Sequence, residues 1–169
     1  MMIIFLIGYM GSGKSTLGKV LAQRLRYRFI DMDKLIVEEQ GMTVSEIFAA
    51  KGENFFRDLE RIKLRKICEE NNIVVSTGGG VPCFYNNMEY MNNKGITIYL
   101  KMDAPSLTSR LAVSRQDRPL IKGKTRDELL RFIQENLVIR EPYYSKAMHV
   151  LESKNLKVED LLEVIPFES

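Results

Sequence analysis

The 169-residue chain has no tryptophan, one histidine and two cysteines. Cys68 and Cys83 form no metal-ligand or redox spacing and offer no disulfide framework. A lone His149 cannot build a metal site and is expected to play a structural role beside a terminal strand. No run approaches the roughly 18 apolar residues of a membrane span. Met1–Ile7 is apolar but short, with no basic residues before it and no small-residue cleavage site after it. It reads as a buried strand rather than an export signal, so the cytoplasm is the expected compartment. A strong charge of one sign is missing too: 25 basic residues face 22 acidic ones, a net +3. That balance is too mild to mark a nucleic-acid binder. At 45% apolar and 28% charged, the chain is not disordered. Without repeats or a dividing linker, residues 1–169 are expected to form one domain.

The charge that is present is uneven. Residues 101–146 hold ten basic and six acidic side chains, and within Arg110–Arg126 six basic residues face Asp117 alone. This segment is suited to meeting an anion.

Strand and helix signals alternate. Ile3–Ile7 is a continuous β-branched and aromatic run, as in a strand covered on both faces. Leu17, Val20, Leu21 and Leu25 follow at helical spacing, then a short strand at Arg28–Asp31 and a helix from about Lys34 to Gln40. Thr43-Val44-Ser45-Glu46 fits a capping box that opens a helix stopping near Gly52. A longer helix is expected to bury Phe55, Phe56, Leu59, Ile62 and Ile67 on one face. Ile73–Ser76 and Ile96–Lys101 read as strands, Pro105–Val113 and Thr125–Val138 as helices, Met148–Leu151 as a last strand and Val158–Val164 as a last helix. Ser114–Lys124 is polar, basic and aperiodic, a loop. The alternation predicts an open parallel sheet covered on both sides.

Gly8-Tyr9-Met10-Gly11-Ser12-Gly13-Lys14-Ser15 matches G-x-x-x-x-G-K-[ST] in full, between a buried strand and an amphipathic helix. Backbone N–H groups of such a loop curl around phosphate oxygens, and the helix directs its positive end at the same place. Lys14 can reach the β- and γ-phosphates, and the Ser15 hydroxyl can ligate Mg²⁺. The chain is therefore expected to bind a nucleoside triphosphate.

Other features narrow the class. The nearest string to the guanine-reading N-K-x-D is Asn93-Lys94-Gly95-Ile96, which lacks the acid, and the third strand ends in Ser76-Thr77-Gly78 without a carboxylate. A small kinase with a closing lid fits better than a switch or a motor. Asp31 and Asp33 end the second strand, two apart, so both carboxylates could face the crevice beyond the strand ends. They could equally cap the next helix, and spacing alone does not choose. Gly78-Gly79-Gly80 is a plain turn or a place where backbone approaches a ligand. By themselves, Arg57 and Arg140 read as surface charges on helices.

Together these strings resemble the shikimate kinases over nearly the whole chain. The resemblance is carried by Asp31-Met32-Asp33, Phe56-Arg57-x-x-Glu60, Thr77-Gly78-Gly79-Gly80, Arg118-Pro119-Leu120 and Arg140-x-Pro142-x-Tyr144, in that order. It implies a three-layer α/β/α P-loop fold of the nucleoside-monophosphate-kinase type with a five-stranded parallel sheet. It also implies transfer of the ATP γ-phosphoryl group to the 3-hydroxyl of shikimate, with Mg²⁺. On this resemblance Lys14, Asp33 and Arg118 are catalytic, Asp33 holding the hydroxyls and being the candidate base. Arg57 and Arg140 bind the carboxylate, Glu60 orients the acceptor side, and Gly78, Gly79 and Gly80 complete the pocket. Gly11, Ser12, Gly13, Lys14, Ser15, Thr16, Arg110 and Arg118 hold the nucleotide, Arg110 near adenine, with Ser15 and, through water, Asp31 at the metal. Residues 32–60 form the acceptor subregion and 112–124 the lid; a monomer with no nucleic-acid or membrane partner is implied. The turn after the last strand, Ser153-Lys154-Asn155-Leu156, lacks the proline of many relatives, which leaves the adenine contact and the strictness for ATP open.

Two rivals remain at this stage. Another small-metabolite kinase, such as a gluconate kinase, would not need the set of Arg57, the glycine triplet and Arg140. A regulatory binder without turnover would be expected to have lost a catalytic residue, yet Lys14, Ser15, Asp33 and Arg118 are all present. A nucleic-acid binder is more distant, because no aromatic platform interleaves the basic segment.

Overall fold

A computed structural model describes residues 1–114 and 118–166. Five strands, β1 (Ile3–Ile7), β2 (Arg28–Asp31), β3 (Ile73–Ser76), β4 (Ile96–Lys101) and β5 (His149–Glu152), form one parallel sheet in the order β2-β3-β1-β4-β5. The central strand β1 buries all five residues by alternation. Ile3, Phe5 and Ile7 enter the core on one face, and Ile4 and Leu6 the core on the other. Helices α1 (Lys14–Leu25) and α8 (Val158–Glu163) cover the second face. The first is covered by α4 (Glu53–Ile67), α5 (Asn87–Lys94), α6 (Ala104–Ala112) and α7 (Arg126–Tyr144). With α2 (Met32–Gln40) and α3 (Val44–Lys51), α4 also encloses a smaller cluster of Ile36, Ile47 and Phe56. The expected three-layer fold is present. The chain leaves β1 toward β3 and β2, then returns to place β4 on the other side. Strand order thus reverses at β1, where an open α/β sheet forms its ligand crevice.

Four expectations change. The strand β2 ends at Asp31 and α2 starts at Met32, two residues earlier than expected, so Asp33 belongs to a helical first turn and not to a strand. The buried face of α4 is Phe56, Arg57, Glu60, Leu64 and Ile67, while Ile62 is 57% exposed. Phe55 and Leu59 pack against the small cluster as expected, but a buried ion pair goes inward where Ile62 was expected. The helix α7 continues past Val138 through Pro142 to Tyr144. Proline removes the bond to the i−4 carbonyl and crowds it, and the residue that carries that carbonyl, Val138, is exposed. Finally, α5 and the single turn Val81–Cys83 fill a region without an expected element; α5 fully buries only Met88 and Met91 as apolar residues, too few for a clear period, with buried Asn87 donating to the Val81 carbonyl. No helix among the described residues is long and apolar enough to cross a membrane.

Candidate active site

The donor side is backbone geometry. Gly13 takes φ 97°, a left-handed conformation that favours glycine, and α1 begins directly after it with no side chain capping its N-terminus. Elsewhere Thr43, Asp103 and Thr125 cap α3, α6 and α7. The first N–H groups of α1 are left for a ligand instead. Lys14 is buried, its Nζ donating to the carbonyls of Gly8 (2.7 Å) and Tyr9 (2.9 Å). Burial lowers its pKa to about 8, against the opposing pull of Asp33. Arg110 reaches over the loop to the Gly11 carbonyl at 3.2 Å. The turn after β5 is tied to the same loop without a proline: buried Ser153 donates through Oγ to the Ser12 carbonyl at 2.7 Å and through its N–H to Lys101 at 2.7 Å.

Asp31 realises both of its sequence readings at once. Its Oδ1 accepts from the Lys34 N–H at 3.2 Å, capping α2, while its Oδ2 accepts from the Ser15 hydroxyl at 2.8 Å. A hydroxyl and a carboxylate are hard oxygen donors of the kind Mg²⁺ takes. Among the described residues no three carboxylate, histidine or cysteine side chains cluster as a self-sufficient metal site. Phosphate and water oxygens would have to complete the coordination.

The acceptor side gathers side chains from three helices onto the glycine triplet. A Cβ on Gly78 would lie 2.7 Å from Asp33 Oδ1 and 2.8 Å from Glu60 Oε2, and one on Gly80 would lie 2.3 Å from Arg57 Nη1. On Gly79 it would lie 3.1 Å from Arg140 Nη1. The triplet is glycine because four charged groups occupy the space that side chains would need. Asp33, in the first turn of α2, is open to the crevice. Desolvation raises its pKa, Lys14 opposes the rise, Asp31 adds to it, and Arg57 and Arg118 pull against it.

Neither arginine is a plain surface charge. Arg57 is 8% exposed and Glu60 1%, with Nη1 to Oε1 at 2.6 Å; Glu53 adds a second carboxylate at 3.3 Å, and the Phe84 ring lies 4.2 Å from the guanidinium carbon. Desolvation raises the Glu60 pKa to about 7 although Arg57 opposes it. Arg140, half-buried on α7, has no carboxylate partner among the described residues. The Tyr9 ring lies 5.5 Å from its guanidinium carbon, and the Tyr144 hydroxyl sits at the same turn. Burial works against its charge, and Tyr144, then Tyr9, more than offset that.

Arg118 is half-buried and close enough to Asp33 and Tyr9 to feel both. Residues 115–117 of the expected lid lie outside the described residues. Cys83 borders the pocket, but burial pushes its thiol up to about 11, which leaves no thiolate for chemistry. Sequence reasoning passed over Tyr9 and left Tyr144 without a role. The four-residue step from Arg140 to Tyr144, one helical turn, was the available signal for the latter.

The shikimate kinase family model matches residues 10–166. The chain belongs to the shikimate kinase family. A shikimate kinase from Phocaeicola vulgatus is 49% identical over 154 residues, covering 91% of this chain and 88% of that protein. The crystal structure of the shikimate kinase from Bacteroides thetaiotaomicron superposes with a TM-score of 0.94 at 44% identity, covering 96% of this chain and 97% of that one. A shikimate kinase from Acinetobacter baumannii, solved in complex with shikimate, gives 0.83 at 32% identity, covering 96% and 89%. Membership in the shikimate kinase family settles the choice against a gluconate kinase and a non-catalytic binder.

Proposed function

We propose that this kinase transfers the γ-phosphoryl group of ATP to the 3-hydroxyl of shikimate across the gap between the phosphate loop and the glycine triplet, giving shikimate 3-phosphate and ADP. The reaction lies on the route to chorismate and the aromatic amino acids. The observation that carries the assignment is the convergence of Asp33, Glu60, Arg57 and Arg140 on Gly78–Gly80, beside Lys14. A small polyhydroxylated anion needs carboxylates for its alcohols and guanidinium forks for its acid group, and this pocket offers both.

Phosphoryl transfer asks the protein mainly for alignment and charge neutralisation. Gly11, Ser12, Gly13, Lys14, Ser15 and Thr16 form the phosphate cradle, Ser12 closing the loop through its N–H to the Tyr9 carbonyl at 3.2 Å, with Arg110 toward the adenine side. Lys14 exchanges its two loop carbonyls for phosphate oxygens. Ser15 and, through water, Asp31 would hold Mg²⁺, which when bound supplies positive charge to the β- and γ-phosphates. Asp33 positions the reacting hydroxyl and accepts its proton, its raised pKa making it a stronger base than an ordinary aspartate. Arg57 and Arg140 hold the carboxylate and Glu60 orients Arg57. Arg118, in segment 112–124, neutralises charge on the moving group and helps exclude water as that segment closes. Residues 32–60 act as the acceptor subregion, and the enzyme works as a monomer.

A coupled ADP-release assay with shikimate, quinate and gluconate in parallel tests the reading. Turnover should be largest with shikimate and at background with gluconate. Equal rates with gluconate would overturn the acceptor assignment.

A further inference from the structure

We infer that Tyr144 is a positioning residue for the acceptor substrate, holding Arg140 and the Gly79 peptide in one geometry without pairing the guanidinium with a carboxylate. The inference rests on the assignment of Arg140 to the acceptor's carboxylate.

Tyr144 is the last residue of α7 and is fully buried. It stands one helical turn beyond Arg140, so both side chains leave the same face. Its hydroxyl donates to the Gly79 carbonyl at 2.5 Å, across 65 residues of sequence. Burial pushes the phenol pKa far above its ordinary value, so the proton stays in place. A hydroxyl has one proton. With that proton committed to Gly79, the oxygen can show Arg140 only its lone pairs. A side-chain hydrogen bond joins Arg140 to Tyr144, and both lie against the Gly79 turn, the site of a Gly79 Cβ being 3.1 Å from Arg140 Nη1 and 3.6 Å from the Tyr144 oxygen. The Tyr9 ring bounds the guanidinium elsewhere. Because N–H and C=O of a trans peptide point in opposite directions, fixing the Gly79 carbonyl also fixes the direction of the Gly80 N–H at the pocket wall.

A carboxylate could hold Arg140 as firmly, but it would cancel the charge, as Glu60 and Glu53 do for Arg57. A phenol orients without neutralising. Of the five guanidinium N–H groups, it occupies few and leaves a fork for an incoming carboxylate. The second buried tyrosine of the same ring pair, Tyr99, differs in this respect. Its ring centroid is 5.0 Å from that of Tyr144, but its hydroxyl goes to Glu141.

Initial-rate kinetics on Y144F, R140Q, the double variant and Y99F test the inference. Tyr144→Phe keeps ring and volume, so folding is preserved. It should raise the shikimate KM about ten-fold, with kcat within about three-fold and the ATP KM unchanged, as for one lost bond to a charged group. Tyr99→Phe should leave the shikimate KM unchanged. In the R140Q background, adding Y144F should change the KM by less than about two-fold, because its effect runs through Arg140. A raised KM in R140Q with none in Y144F, or effects that multiply in the double variant, would overturn the positioning role and spare the Arg140 assignment. An unchanged KM in R140Q would overturn both.

Discussion

Arg57 and Arg140 reach the same glycine turn from different helices, yet they are built differently. Arg57 sits on α4 with Glu60 at 2.6 Å and Glu53 at 3.3 Å, stacked on Phe84. Arg140 sits on α7 among the phenols of Tyr9 and Tyr144. The first is a compensated charge whose position is secured by ionic partners. The second has no carboxylate within salt-bridge distance and is held by neutral groups, with Glu60 acting on it only at longer range. Charge at the mouth of a low-dielectric pocket attracts an anion most when nothing nearby cancels it. Arg140 should therefore dominate recruitment of the acceptor's acid group, and Arg57 should shape the pocket and respond to pH.

The largest effect should fall on Asp33, the carboxylate that shares the glycine turn with the two arginines. Asp33→Asn should lower kcat at least ~100-fold with nucleotide binding intact, as for loss of a base or aligning carboxylate; near-normal turnover would remove Asp33 from the mechanism. Next, Arg140→Gln should raise the shikimate KM about 30-fold, within the range for a charge-assisted fork, with little change in melting temperature. Arg57→Ala should raise the same KM about ten-fold, less than R140Q, because much of its charge is already spent on Glu60. It should also cost about 2 kcal/mol of stability by stranding a buried carboxylate, the loss being limited because Glu60 can take up a proton. If R57A exceeds R140Q in its effect on KM, the contrast between the arginines fails.

The smallest effect is a pH dependence. Glu60 has a folded pKa of about 7 against an ordinary 4.5, and it faces Arg57 on its own helix, Asp33 on α2 and Arg140 on α7. For an acid whose pKa is raised by folding, the stabilising contribution is complete below 4.5 and is lost as pH rises through about 7. Melting temperature should therefore fall between pH 5 and 7 more steeply in the wild type than in E60Q. Over the same window, protonated Glu60 frees Arg57, so the wild-type shikimate KM should be several-fold lower at pH 6 than at pH 8. In E60Q that difference should shrink. An identical pH profile in the two proteins would remove Glu60 as the titrating partner.

The donor half was legible in the chain itself because its chemistry is contiguous. Gly8–Ser15 carries loop, lysine and hydroxyl in one string, and the continuous apolar run Ile3–Ile7 announces a strand covered on both faces. The acceptor half could be named only through resemblance. The apolar stripe on α4 pointed to Phe55, Phe56, Leu59, Ile62 and Ile67, and all but Ile62 pack inward at least in part, but Arg57 and Glu60 go inward beside them. A periodicity argument counts apolar residues and has no term for a charge that goes inside with its partner. The two-residue spacing of Asp31 and Asp33 suggested a shared strand face, but a helix begins between them and sends one to Ser15 and the other to the crevice. The expected end of α7 at Val138 fell short, and the helix that runs on through Pro142 delivers Tyr144 to Gly79.

By itself, the order of residues determined that this chain is a parallel α/β domain with a triphosphate loop, since strand periodicity and a phosphate cradle depend on neighbours a few positions apart. Tertiary structure alone decided that Arg57 is paired with carboxylates and Arg140 with phenols. Charge compensation depends on which groups, tens of residues away, share the same desolvated space, and no local pattern records that distance.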